Sequence, residues 1–309
     1  MAQIKRFFRR SFQSRALITM ALPGIVMVFL FNYMPMFGIL VAFKRYNYAL
    51  GLLKSPWCGM DNFRLMITNT AVTWRIVRNT LGYYFLFTLV GTVANVTLAI
   101  ALHECVYKGF AKTSQTIMIM PTFISFIAVT YIVNALLNNA TGMFNNILRT
   151  MGKKTVNWYT APQYWPAILT IVKIWKDTGY GSILYLSALS GMDQEIFEAA
   201  EIDGATKGQQ IRYITLPMLT SMICILLLLG LGGIMHSNTG LHYQVTKNVG
   251  LLYSTTQTID AFILNALTSG SSNFGMNGAV TFFQSAVGCV MVVVTNLLVR
   301  RWDPDKSLF

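Results

Sequence analysis

Six apolar runs constrain this chain more than any other feature. They cover residues 17–41, 79–102, 114–137, 164–190, 217–236 and 276–299, with soft edges. An α-helix needs roughly 20 apolar residues to cross the hydrocarbon core of a bilayer, and each run supplies about that many. The expected fold is therefore an all-α integral membrane protein with six transmembrane helices. Of the 309 residues, 54% are hydrophobic and 11% charged, whereas a soluble domain carries about a quarter charged residues. Mean hydropathy is +0.51.

The net charge of +13 does not point to nucleic acid. The basic residues gather at the ends of the apolar runs, as membrane-flanking charge does, and no RNA- or DNA-reading motif occurs. The N-terminal "MAQIKRFFRRSFQSR" reads as a retained basic interfacial segment (1–16), because the run after it is too long for a signal-peptide core. With that end inside, 12 Lys and Arg lie on the inner side and 10 on the outer. Five lie in the N-terminal tail, against Lys44, Arg45 and Lys54 across the first span. Both termini are therefore expected in the cytoplasm of a cell-membrane protein. The organisation is one domain of six spans (17–300), an inner loop within it (191–216) and a short cytoplasmic tail (301–309). The outer segments 42–78, 138–163 and 237–275 carry Trp57, Trp74, Trp158 and Tyr159, and with Trp165 at the edge of the fourth run these suit interfacial belts. Residues 59–78 read as an amphipathic surface helix. Cys58, Cys105, Cys224 and Cys289 are too scattered for a disulfide framework or a zinc site.

The inner loop is unusual. Five of the eleven acidic residues fall between Asp193 and Asp203. Asp193 is placed to cap a helix, Glu195 sits in its first turn, and Ile196, Phe197 and Ala200 make an apolar face. Gly204 suits a turn. A second short amphipathic piece bears Ile211 and Ile214, and Pro217 suits the first turn of the fifth span. A short helix with small residues, protruding from a membrane domain, suggests something that docks into a cleft on a partner.

The stretch Glu198-Ala199-Ala200, three residues, Gly204, nine residues, Ile214-Thr215-Leu216-Pro217 resembles the EAA loop of ABC importer permeases at every defined position. The longer form "EAAEIDGA" is similar to the carbohydrate-uptake branch. "NYMPMFGILVAFKRYN" (32–47) and "SPWCGMDNF" (55–63) resemble a subgroup handling complex or oligomeric sugars, the polysaccharide- and lipoprotein-type permeases. The resemblance covers nearly the whole chain. It implies a type I importer: two permeases paired in the membrane, a cytoplasmic ATPase dimer beneath, and an extracellular or periplasmic binding protein that delivers substrate. It also implies roles. Glu198 makes the polar contact to the ATPase, Ala199 and Ala200 permit close approach, Gly204 sets the turn, and Ile214, Leu216 and Pro217 join the lever to the fifth span. The segment 237–262 resembles the outer loop that meets the binding protein or partner permease.

No GxxxxGK[ST] occurs; Gly152-Lys153-Lys154-Thr155 lacks the spacing. No catalytic or metal-binding constellation is evident, so the chain is expected to be a transport subunit without cofactor or metal, ATP and Mg being held by the partner ATPase. His103 beside Glu104 reads as an interfacial pair. Within the fourth span, "KIWKDTGYG" (173–181) places Lys173, Lys176 and Asp177 in apolar surroundings. Lys173 and Asp177 stand four apart and are placed to pair. Gly179 and Gly181 would loosen the helix. Charges in a span and broken helices both mark pathways, and sugars bind by aromatic stacking with hydrogen bonds. Asn95, Lys173, Trp175, Asp177, Tyr180 and Tyr185 are thus candidate pathway residues. The alternative is an ion-coupled secondary transporter, which needs an intramembrane carboxylate relay; only Asp177 suits that, and inverted repeats are not evident.

Overall fold

The computed structural model describes residues 15–269 and 274–302. They are helical throughout apart from connecting loops, and the one β-bridge among them joins Lys44 and Trp57. The chain divides into two compact units, one built from the residues up to Thr68 with 274–282, the other from Asn69–Ser272 and the chain after Phe283.

The first unit starts with α1 (Arg15–Val28), which passes through a π segment, Phe29–Tyr33, into a tighter 3-10 stretch, Met34–Phe43. Pro23 and Pro35 remove two backbone donors from this path, which is where departures from regular α geometry are expected. Large apolar side chains such as Met20, Ile25, Phe31 and Phe37 stay exposed along it. Beyond Phe43, the two stretches 32–47 and 55–63 fold onto each other. Arg45 N–H donates to the Pro56 carbonyl at 2.9 Å and Cys58 N–H to the Phe43 carbonyl at 2.9 Å. Asn62, on α2 (Asp61–Thr68), is buried and donates to the carbonyls of Ala42 (2.9 Å) and Lys44 (3.0 Å). The Lys44 ammonium, buried as well, caps the carbonyls of Leu52 (3.0 Å) and Leu53 (2.7 Å). Around this knot Phe43 packs on Trp57, Phe63 and Phe282.

The second unit is organised by two long helices lying side by side, α3 (Thr70–His103) and a later partner, Trp165–Ser190. At 1.5 Å per residue α3 is about 51 Å long, more than a bilayer core. The surface helix expected over 59–78 is instead divided: Asn69 ends α2, and 70–78 are the first turns of α3. Next come α4 (Lys108–Ile119) and α5 (Phe126–Leu137), which form a bent pair at 99°. The third apolar run is therefore broken rather than straight. Pro121 lies in the tight turn that ends the first half, and Ser125 caps the second, its hydroxyl accepting from Ala128 N–H at 3.2 Å. The short helix α6 (Met143–Thr150) is held by the buried Asn145, which exchanges hydrogen bonds with the Val156 backbone at 2.9 and 3.0 Å.

The helix Trp165–Ser190, α7, is unbroken, so Gly179 and Gly181 do not loosen it. Gly179 serves close approach: a Cβ there would collide with the Met118 carbonyl of α4. After α8 (Gln194–Ile202) a continuous helical run covers Lys207–Leu231, with a π segment at Ile211–Thr215 leading into α9 (Leu216–Leu231). Pro217 lies in the first turn of α9, as expected, although the π segment before it joins α9 to a longer continuous helical run. Its ring conflicts with the carbonyl four residues back, at Tyr213, and the π segment opens the ladder there. The unit closes with α10 (Ile259–Thr268) and the larger part of α11 (Phe274–Trp302).

Two apolar clusters hold this unit. One joins Tyr83, Val129, Val133, Trp165, Leu169, Leu241 and Leu252; the other joins Val96, Ala99, Tyr185, Leu189 and Leu219. Trp165, expected in an interfacial belt, is fully buried, with its indole N–H donating to the Trp158 carbonyl at 2.8 Å.

Among the described residues, four helical runs are long and apolar enough to span a membrane: Thr19–Phe43, Thr70–His103, Lys207–Leu231 and Phe274–Arg301. The bent pair makes five if it counts as one span. Against the six expected, α7 differs because Lys173, Lys176 and Asp177 interrupt its apolar sequence, although its 26 residues, about 39 Å, are ample in length.

Candidate functional site: a protruding capped helix and a polar cavity

The protruding helix forms for local reasons. Asp193 caps α8, its carboxylate accepting from Glu195 N–H at 3.0 Å. The C-terminus closes in a Schellman arrangement: Gly204 N–H donates to Glu201 O (3.0 Å) and Ala205 N–H to Ala200 O (2.9 Å). That closure needs the left-handed conformation Gly204 adopts, φ +82°. Thr206 then opens the next run with a capping box: its backbone N–H donates to the Gln209 side chain at 2.7 Å, and its hydroxyl accepts from Gln209 N–H at 3.4 Å. None of the nine residues of α8 is buried. Glu198 and Ala199 are exposed, Ala200 half-buried, and Ile202 87% exposed. Phe197 faces the protein instead, lining a cavity of about 350 Å³ with His103, Met192, Lys207 and Gln210. Ile214 is half-buried, and Leu216 and Pro217 are exposed near the base of α9. His103 and Glu104 pair at 3.4 Å beside this cavity.

The pathway candidates are scattered by the fold. Lys173 and Asp177 form the expected ion pair, partly exposed. Trp175 and Tyr180 are exposed on α7. Tyr185 is buried in the apolar cluster with Val96 and Leu189. Asn95 lies over Gly181, with its carbonyl oxygen buried and unpartnered in the protein.

Lys176 has a distinct place. It is 5% exposed. Its ammonium donates to the carbonyls of Pro121 (3.1 Å), Thr122 (2.8 Å) and Ile124 (2.6 Å), while its own carbonyl accepts from the Thr122 hydroxyl at 2.8 Å. It also stands over the Phe126 ring at 5.0 Å. One buried cation thus satisfies the carbonyls left over at the end of α4, where the helix dipole is negative. The sequence signalled the charge but not its target.

A second cavity, about 360 Å³, opens among α3, α7 and the segment after α9. Tyr83, Tyr84 and Phe87 supply aromatic walls, and Lys173, His236 and His242 line it too. The segment expected as an outer loop is packed here: Leu241, His242, Val245 and Leu252 are buried against α5 and α7. His242 Nδ1 donates to the Thr256 carbonyl (3.2 Å), which can only accept, so in the neutral ring Nδ1 carries the hydrogen and Nε2 is an acceptor. Burial pushes this imidazole down to about 4 and keeps it neutral. His236 pairs with Asp260 at 3.5 Å. The hydrogen bond to Asp260 raises the His236 pKa, against burial. Burial works against the Asp260 charge, but hydrogen bonds from His236, Ser237 N–H and Gln284 outweigh it and lower its pKa. Sequence reading missed Tyr83, His236, His242 and Asp260. The available signal was an aspartate inside the apolar stretch "TIDAFIL" and two histidines six apart.

Among the described residues, no group of three His, Cys, Asp or Glu converges as a metal site.

Comparison with known proteins agrees with this architecture. Residues 91–307 match the family described as binding-protein-dependent transport system inner membrane component. Protein LplB of Bacillus subtilis is 30% identical over 290 residues, covering 94% of this chain and 90% of that protein. The polygalacturonan/rhamnogalacturonan transport system permease protein YteP of the same organism is 30% identical over 305 residues, covering 97% and 92%. A chain from the crystal structure of a bacterial ABC transporter involved in the import of the acidic polysaccharide alginate superimposes with a TM-score of 0.85 at 31% identity, covering 96% of this chain and 99% of that one. A capped helix protruding between membrane spans, on a fold shared along almost its whole length, makes this chain a member of the binding-protein-dependent transport system inner membrane component family.

Proposed function

We propose that the chain is one permease subunit of an ATP-driven, binding-protein-dependent importer for oligosaccharides or complex sugars. It forms half of the translocation pathway, pairs with a second permease and receives substrate from an extracellular or periplasmic binding protein. Both termini and α8 face the cytoplasm of a bacterial cell, where an ATPase dimer binds and hydrolyses ATP with Mg.

One observation carries the reading. The segment from Asp193 to Gln209 is capped at each helix start, yet none of the nine residues of its first helix is fully buried, only Phe197 and Ala200 being half-buried. A helix so ordered and so little packed is a docking element. Glu198 makes the polar contact, Ala199 and Ala200 let the ATPase backbone approach, and Gly204 holds the angle. Ile214, Leu216 and Pro217 carry the displacement into α9 as a rigid body. Relatives named for polygalacturonan, rhamnogalacturonan and lactose transport support the substrate class. A similar structure, the bacterial alginate ABC transporter in complex with an alginate pentasaccharide-bound periplasmic protein, supports the binding-protein partner.

An ion-coupled secondary transporter would need an unpaired buried carboxylate, and the carboxylate of Asp177 is engaged by Lys173. Uptake of labelled oligosaccharide into cells tests the proposal. Glu198→Lys is expected to abolish ATP-dependent uptake while membrane insertion persists; uptake at the wild-type rate contradicts the coupling role.

A further inference from the structure

The cavity lined by Tyr83, Tyr84, Phe87, Lys173, His236 and His242 has two properties that a structural void lacks. The first is unmet hydrogen bonding. The Tyr83 hydroxyl and His242 Nε2 are buried with no partner in the protein. Each such group costs about 1–3 kcal/mol unless something pairs with it. The second is charge polarity. Lys173 and His236 line the cavity, while their counter-ions Asp177 and Asp260 do not, and no other carboxylate does. Lys173 and His236 thus face the space, while the carboxylates they pair with stay off its wall. Lys173 has three N–H donors, so pairing with Asp177 leaves donors to spare. The remaining wall is aromatic, which suits the apolar face of a sugar ring.

We propose that this cavity is a saccharide subsite that selects a uronate. The sugar carboxylate meets Lys173, with His236 beside it. Small side-chain shifts that open the two buried atoms to the space let one ring hydroxyl donate to His242 Nε2 and another pair with the Tyr83 hydroxyl, and Phe87 or Tyr84 covers the ring face. The proposal rests on the importer reading for its relevance to transport, but the binding chemistry stands on the cavity alone. It assigns the substrate an acidic character that a general oligosaccharide pathway does not require.

The test uses the full chain, purified with the partners that accompany it and placed in lipid nanodiscs. The probes are trigalacturonate and its methyl ester, which share ring hydroxyls and differ in charge. Binding is read by saturation-transfer NMR and titration. The expected result is that the acid binds about tenfold tighter than the ester, a difference of about 1.4 kcal/mol. The double variant Lys173→Gln/Asp177→Asn, which removes both charges together and leaves none unpaired, loses that preference. Tyr83→Phe weakens both probes together and, because its buried hydroxyl has no partner to lose, does not lower the thermal stability. Equal affinity for the two probes, no binding of either, or a preference that survives in the double variant overturns the subsite. Co-purification of an ATPase is scored on the same samples. A complex that retains its ATPase but shows no preference overturns the uronate proposal and leaves the importer reading intact; a folded chain without an ATPase overturns that reading instead.

Discussion

The protruding segment 193–217 and the cavity wall 236–260 follow the same helix from opposite ends, and they are ordered by opposite means. In the first, nearly every stabilising bond joins residues within five positions of each other: Asp193 to Glu195, Ala205 to Ala200, Thr206 to Gln209. The second has local bonds too, such as Thr246 to His242 and Thr256 to Leu252, but it is tied in place by long-range ones. Ser237 N–H reaches Asp260 at 2.5 Å, Gln284 reaches the Met235 carbonyl at 2.8 Å, and Ile259 N–H reaches the Thr80 hydroxyl at 3.0 Å. The first region keeps its shape while moving against a partner, because its bonds travel with it. The second keeps its shape only while α3, α7, α10 and α11 stay together. The coupling lever and the subsite wall proposed above call for these two kinds of order respectively.

Substitutions separate the two kinds. The largest effect is expected from Lys176→Met, which strands the Thr122 and Ile124 carbonyls at the α4–α5 break and leaves that of Pro121 only its bond from Ile124 N–H. At about 1–3 kcal/mol for each buried group left unpaired, the purified assembly should melt well below the wild type. Hydrogen exchange should quicken around 118–137 but not across 194–202; equal quickening in both would mean that the lever depends on the long-range frame. Gly204→Val comes next. Forcing a branched residue to φ +82° costs about 1–2 kcal/mol and undoes the Schellman closure, so uptake should be lost with insertion and melting temperature nearly intact. Trp165→Phe removes the donor to Trp158, for about 1 kcal/mol, and should be seen as a small fall in melting temperature without change in coupling. Thr206→Ala deletes half of an exposed capping box. It should cost about 1 kcal/mol of local helix stability, visible only as faster exchange at 207–210.

The same contrast explains what the sequence disclosed. The lever was legible because caps and turns are short-range chemistry: Asp193, Gly204 and the spacing to Pro217 are readable in one line of sequence. The all-helical membrane fold was legible from apolar runs. The break in the third run was not, because Pro121 and Ser125 look tolerable until Lys176, 55 residues away, is placed over the carbonyls they release. The sequence offered Gly179 and Gly181 as the weak point of α7, yet they are small so that α4 and α3 can approach. Tyr185 was offered as a pathway aromatic and lies in an apolar cluster. The cavity was least legible, since Tyr83, Lys173 and His242 meet only once three helices are assembled. The expectations for 1–14 and 303–309, the basic segment and the tail, lie outside the described residues.

The most direct test of coupling is to purify the tagged chain from its native membranes in mild detergent and quantify what accompanies it, for the wild type and for Glu198→Lys. The account predicts an ATPase and a second multi-span membrane protein with the wild type. With Glu198→Lys it predicts loss of the ATPase and retention of the membrane partner. An ATPase held equally by both proteins, or a wild-type chain that transports with no ATPase at all, would contradict it.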